Sequence, residues 1–177
     1  MSSYAITYWS MPAGAAREFF DSIIRELARR FHAPVFEPHL TVFVAPECSR
    51  PPREVLSEVP SPDLVLVSRE IDWSKKFTET LFVCFERNQT LLDLVEVIRK
   101  LSGGSEQYQI DPHLSLIYKK LPAKTKRALA EEIQLPFSEV RFKGICAMHC
   151  KSPTKTVDDV RQWKLLATQN STIRKGA

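Results

Sequence analysis

Glycine is scarce in this chain, with five among 177 residues, while twelve prolines punctuate it. Together with an apolar content of 44%, that excludes a disordered or low-complexity chain and predicts an ordinary packed core. The length fits one domain, since domains run roughly 100–200 residues. Long apolar runs are also missing. "LVLV" at 64–67 and "LFVCF" at 81–85 fall far short of the ~20 residues needed to cross a bilayer. The opening "MSSYAITYWS" has neither a basic leader nor an apolar signal core, so the expected compartment is the cytoplasm, with no membrane partner. Cysteine is sparse: Cys48, Cys84, Cys146 and Cys150 are expected to be reduced rather than bridged. "CAMHC" at 146–150 offers zinc-type ligands, but no second pair at zinc spacing accompanies it. It reads as a strand of small, soft side chains, and no metal or other cofactor is expected. No block of one charge exists either. The net charge of +4 is spread along the chain, which excludes a nucleic-acid-coating tail and suits an anionic small molecule.

What is present is regular. Tyr4–Ser10 mixes aromatic and β-branched residues and reads as a strand ended by Met11-Pro12. Phe19, Ile23, Leu27 and Phe31, with Phe20 and Ile24 beside them, predict a helix over Ala13–Phe31. His32 then falls at a solvated helix end. A strand follows from His39 to Pro46, and a proline-rich loop with a short helical turn at Glu54–Ser57. Strands are predicted at Asp63–Asp72 and Thr80–Arg87. A helix capped by Thr90 and stopped by Gly103-Gly104 comes next, then a strand at Pro112–Lys119. A helix at Ala123–Ile133 and strands at Ser138–Lys151 and Val157–Ala167 complete the pattern, with "NSTIRKGA" expected to fray. Strand, helix and strand thus occur twice, over residues 4–45 and 80–119, within a single two-lobed domain covering 1–177. The expected fold is α+β: two related lobes with antiparallel-rich sheets and helices packed on one face of each.

The two copies share more than order. "EPHLTVFV" at 37–44 returns as "DPHLSLIY" at 111–118, 74 positions apart from His39 to His113. Alternation along a strand puts His39 and Thr41 on one face, with Leu40, Val42 and Val44 on the other. The second copy does the same with His113 and Ser115 against Leu114 and Leu116. Packed about a pseudo-twofold, two imidazoles and two hydroxyls would face each other across a cleft. One imidazole can accept a proton while its twin donates one, and hydroxyls can hold phosphate oxygens without titrating. Opening a cyclic phosphodiester requires that combination: a base for water, an acid for the departing oxygen, and donors for the developing charge. His149, on a late strand, is assigned no chemistry.

Two H-x-[ST]-x motifs in a duplicated chain of this size resemble the two-histidine phosphoesterase superfamily, and within it the cyclic phosphodiesterases acting on cyclic-phosphate products of tRNA splicing. The likeness spans roughly residues 4–167. It implies a bilobal duplicated fold, two antiparallel β-sheets facing a central cleft with helices on the outside. It also implies metal-independent hydrolysis of ADP-ribose 1″,2″-cyclic phosphate to the 1″-phosphate, and of nucleoside 2′,3′-cyclic phosphates to 2′-phosphates. It maps catalysis onto His39 and His113 and phosphate binding onto Thr41 and Ser115. Trp9 resembles the family's cleft-rim tryptophan, where a base or ribose would stack. Tyr118 resembles a substrate-side tyrosine, although strict alternation puts it on the core face unless the strand bulges or ends before it. Phe77 is a further base-stacking candidate, with loop packing as its plainer role. Pseudo-symmetry leaves both acid and base assignments open. Two other readings are a 2′–5′ RNA ligase-like or RNA-end-trimming enzyme, whose partners would include RNA 3′ ends, and a noncatalytic nucleotide-binding module. Nothing in the pattern forces association, so a monomer is expected.

Overall fold

A computed structural model describes residues 3–47, 49–104 and 108–169 of the chain. Alternating burial makes Ser3–Pro12 the first strand, β1. Helix α1 (Ala15–Phe31) buries Phe20, Ile24 and Leu27 along one stripe, each removal from water contributing about 1.5–3 kcal/mol. Phe19, Ile23 and Phe31 only flank that stripe, half-buried. The helix ends where His32 takes a left-handed conformation (φ 53°) in solvent. Strand β2 (Leu40–Pro46), helix α2 (Pro52–Glu58), strands β3 (Asp63–Asp72) and β4 (Leu81–Phe85), helix α3 (Gln89–Ser102), strand β5 (His113–Ile117), helix α4 (Ala123–Glu132) and strand β6 (Glu139–Ser152) follow.

Two local expectations fail. The cap of α3 is Asn88, whose side chain accepts from the Leu91 amide at 2.9 Å, while Thr90 lies inside the first turn. The predicted final strand is divided: Val157–Arg161 forms the short helix α5, and only Lys164–Thr168 forms β7. The cause is a reciprocal cap, in which Thr156 Oγ1 accepts from the Asp159 amide and the Asp159 carboxylate from the Thr156 amide. "NSTIRKGA" lies outside the described residues, as does Cys48; Cys84, Cys146 and Cys150 are free thiols.

Every strand pairing is antiparallel, in the order β1-β2-β5-β4-β3-β6-β7, and β1 also pairs with β6. The two halves therefore join into one seven-stranded sheet. Their seam is a single pair, Leu40 opposite Leu114, and β6 ties them again by pairing with β3 through 139–143 and with β1 through 142–152. Gly144 (φ 66°) makes the kink between those two roles, at the register shift opposite Ser10 and Met11. Helices α1, α2, α3 and α4 cover one face of the sheet and close the main core. The other face is left to the cleft. Among the described residues, no helix is long and apolar enough to cross a membrane.

Candidate active site

The seam dictates the site. Leu40 and Leu114 are fully buried and point into the core. In antiparallel register their neighbours must lie abreast, His39 beside Ser115 and Thr41 beside His113, all on the opposite face. The two histidines are then diagonal neighbours, about 7–8 Å apart at the backbone, which leaves room for one phosphoryl group between the rings. All four side chains line one cleft of about 400 Å³, together with Thr7, Trp9, Val44, Lys76, Thr78, Tyr118 and Trp163. A larger groove of about 830 Å³ between α2 and β7 carries none of the motif residues, so volume alone does not mark the chemistry.

The repeated acid-proline has a structural purpose. His39 Nδ1 donates to the Glu37 carbonyl at 2.7 Å, and His113 Nδ1 donates to the Asp111 carbonyl at 2.7 Å. A carbonyl can only accept, so in both rings Nδ1 carries the hydrogen and Nε2 is left for the cleft. The rigid prolines Pro38 and Pro112 set the carbonyl two residues back. The carboxylate of Glu37 is not involved; it pairs with Arg17 at 2.8 Å.

The two rings differ in surroundings. His39 is 5% exposed and stacks on Trp9 at 3.6 Å between centroids, with the edges of Phe36 and Trp163 beside it. Burial pushes its pKa down to about 4, the Glu37 carbonyl opposes this, and the charge of His113 lowers it further. His113 is half-exposed and, among the described residues, meets a single ring, Phe82, at 5.4 Å.

The hydroxyls differ too. Ser115 donates to the Thr78 carbonyl at 2.7 Å and meets the Tyr118 hydroxyl, whose pKa burial drives upward. Among the described residues Thr41 has no hydrogen-bond partner for its hydroxyl. Tyr118 reaches the cleft because β5 bulges: Ile117 pairs with Leu81 and Ser115 with Phe82, leaving Leu116 extra. The same bulge occurs in β2, where Phe43 pairs with Tyr8 and Thr41 with Trp9, leaving Val42 extra. Val44 consequently lines the cleft and not the core, opposite to strict alternation. The duplication extends to the backbone irregularity.

Trp9 lines the cleft as a largely buried ring, 4% exposed, with His39 against one face and Cys146, Cys150 and Met148 packed around it. The Phe77 ring packs on Tyr118 at 6.1 Å, while its neighbours Lys76, Thr78 and Glu79 form the cleft wall. His149 lies on the face of β6 away from Cys146 and Cys150; its Nε2 meets Glu47 at 2.8 Å and its ring stacks on Tyr4. Thr7, Lys76, Thr78 and Trp163 were beyond sequence reasoning: none belongs to a motif, and long-range packing alone brings them to the cleft.

No curated protein sequence matches the chain. Among solved structures, it is similar to a protein described as a phosphoesterase, with 12% identity over 93% of this chain and 96% of that one, at a TM-score of 0.54. It is likewise similar to E. coli LigT complexed with phosphate, with 12% identity over 95% and 97% of the two chains, at a TM-score of 0.52. At that identity the likeness speaks for the fold. The family model for cyclic phosphodiesterase-like proteins matches residues 3–170, nearly the whole duplicated domain with both histidine strands. The chain belongs to the cyclic phosphodiesterase-like protein family, hydrolases of phosphodiester bonds.

Proposed function

We propose that this protein opens small cyclic phosphodiesters without a metal, using His39 as general base and His113 as general acid. The substrates are ADP-ribose 1″,2″-cyclic phosphate, opened to the 1″-phosphate, and nucleoside 2′,3′-cyclic phosphates, opened to 2′-phosphates. One observation carries the reading: both imidazoles are locked by Nδ1–carbonyl bonds and line the same cleft, so both Nε2 atoms are available to one phosphorus. LigT, which shares the fold, was obtained with phosphate, the group that the four polar side chains are taken to surround.

The division of labour follows from the surroundings. A buried ring with a depressed pKa is neutral at physiological pH and can take a proton from water. The imidazolium so formed lies beside the negative phosphoryl group and over the Trp9 face, both of which favour a cation. His113, half-exposed, can be recharged from solvent and gives its Nε2 proton to the departing alkoxide. Water adds to phosphorus on the His39 side and the ring P–O bond breaks on the other, roughly in line. Proton exchange with solvent then restores both rings. Thr41 donates to a non-bridging oxygen; Ser115 must turn its hydrogen from Thr78 to do the same.

Phosphorus NMR of the purified protein with ADP-ribose 1″,2″-cyclic phosphate and a 2′,3′-cyclic nucleotide tests this. The 1″- and 2′-phosphates should accumulate, in chelator as without it. A substrate that stays cyclic through long incubation would mark a binding module instead.

A further inference from the structure

We propose that Trp163 is a positioning residue for His39: from the turn between α5 and β7 it clamps the Trp9–His39 stack and keeps bulk water from that imidazole. The duplication supplies two equivalent histidines, yet only His39 sits in an aromatic box. Two of its walls, Trp9 and Phe36, come from its own half. Trp163 alone comes from outside both repeats. Its ring lies nearly perpendicular to Trp9 at 5.2 Å, His39 at 5.9 Å and Tyr118 at 5.2 Å, so one ring braces cleft residues from both halves.

The turn carrying Trp163 is held firmly. The Asp159 carboxylate, 3% exposed as a residue, accepts from Lys151 Nζ at 2.7 Å and from the amides of Lys155 and Thr156. Val160 packs with Ile24, Phe36 and Tyr118, and the Trp163 amide donates to the Val160 carbonyl at 3.2 Å. The indole itself has no polar tether. Among the described residues its buried Nε1–H finds no partner, so packing against the neighbouring rings alone orients the indole.

Other groups around His39 do not explain its isolation. His113 on β5 lines the same cleft, and Tyr118 packs against Phe36. Cys146 and Cys150 on β6, behind Trp9, are neutral thiols whose pKa burial raises to about 11. The charge of Glu37 is turned to Arg17 and that of Asp159 to Lys151. Among the described residues no carboxylate contacts the His39 ring, so exclusion of water is the setting that Trp163 controls.

The inference rests on His39 as base only for its effect on rate; titration of the ring is independent of that. Imidazole C–H signals followed by proton NMR in wild type, Trp163→Phe and Trp163→Ala, beside pH profiles of kcat/KM on a 2′,3′-cyclic nucleotide, separate the two. Trp163→Ala should raise the His39 titration midpoint by about one pH unit or more, with His113 unmoved and Trp163→Phe in between. Leu165→Ala, an exposed change two residues on, should leave both signals in place. Should Trp163→Ala fail to fold, Asp159→Asn releases the same turn and should shift His39 in the same direction. An unmoved His39 midpoint in a folded variant overturns the inference. A moved midpoint with an unmoved acid limb supports it and overturns instead the assignment of His39 as base.

Discussion

His39 is chemically the most distinctive residue of the chain. Its pKa of about 4 lies below the ordinary histidine value, so the sign of its contribution is fixed. Above pH 6.5 neither folded nor unfolded chain protonates it. Between 6.5 and 4 the unfolded chain takes up a proton that the folded one refuses, so stability falls with pH by about 3 kcal/mol in total. Denaturant melts from pH 7 to 4 should show that loss, and His39→Gln should flatten it. The acid limb of kcat/KM should lie near pH 4, well below that of an exposed histidine. The two hydroxyls separate differently. Either Thr41→Ala or Ser115→Ala should lower transition-state stabilisation by roughly 1–4 kcal/mol. Only Ser115→Ala should also lower the melting temperature, because it strips the Thr78 carbonyl of its donor. At this scale the motif was legible: a repeated polar signature on a strand identifies its own partners. Trp163, Lys76 and Thr78 were not, since each reaches the cleft by packing against residues remote in sequence.

The elements followed hydrophobic periodicity where it was long. The helices α1 and α3 needed no tertiary information to be found, although packing centres the α1 stripe on Phe20, Ile24 and Leu27 and leaves Phe19, Ile23 and Phe31 at its flank. Periodicity misled where the backbone departs from it, and it did so twice at one equivalent point. The bulges at Val42 and Leu116 turn Val44 and Tyr118 toward the cleft, and no local composition announces either. α5 was hidden for another reason: "TVDDV" carries valines that favour strand, while its Thr-x-x-Asp cap favours helix, and the cap prevails. A packing constraint between elements gives a test. A Cβ on Gly104, just past α3, would run into Phe43 Cζ, part of a fully buried ring on β2. Gly104→Ala should therefore destabilise the protein by about 1–3 kcal/mol in denaturant melts and disturb the strand that carries Thr41.

As a whole the molecule is two related halves joined at one leucine pair and tied again through β6, and the cleft exists because the leucine seam aligns their polar faces. Duplication with an α+β pattern was readable from the sequence. The single continuous sheet was not, because the role of β6 in both halves depends on a kink at Gly144. Size of substrate is decided at this scale. With charge scattered over the surface and a cleft of about 400 Å³, mononucleotide binding should depend weakly on salt. A steep salt dependence for RNA oligomers, bound more tightly than the mononucleotide, would shift the reading to an RNA-end enzyme. The most direct test concerns cooperation of the halves: turnover of a 2′,3′-cyclic nucleotide by His39→Ala, His113→Ala and the double variant. If both rings serve one phosphorus, each single variant should lose nearly as much rate as the double, about a thousandfold or more. Losses that multiply independently, or a single variant that keeps the wild-type rate, would contradict a shared site.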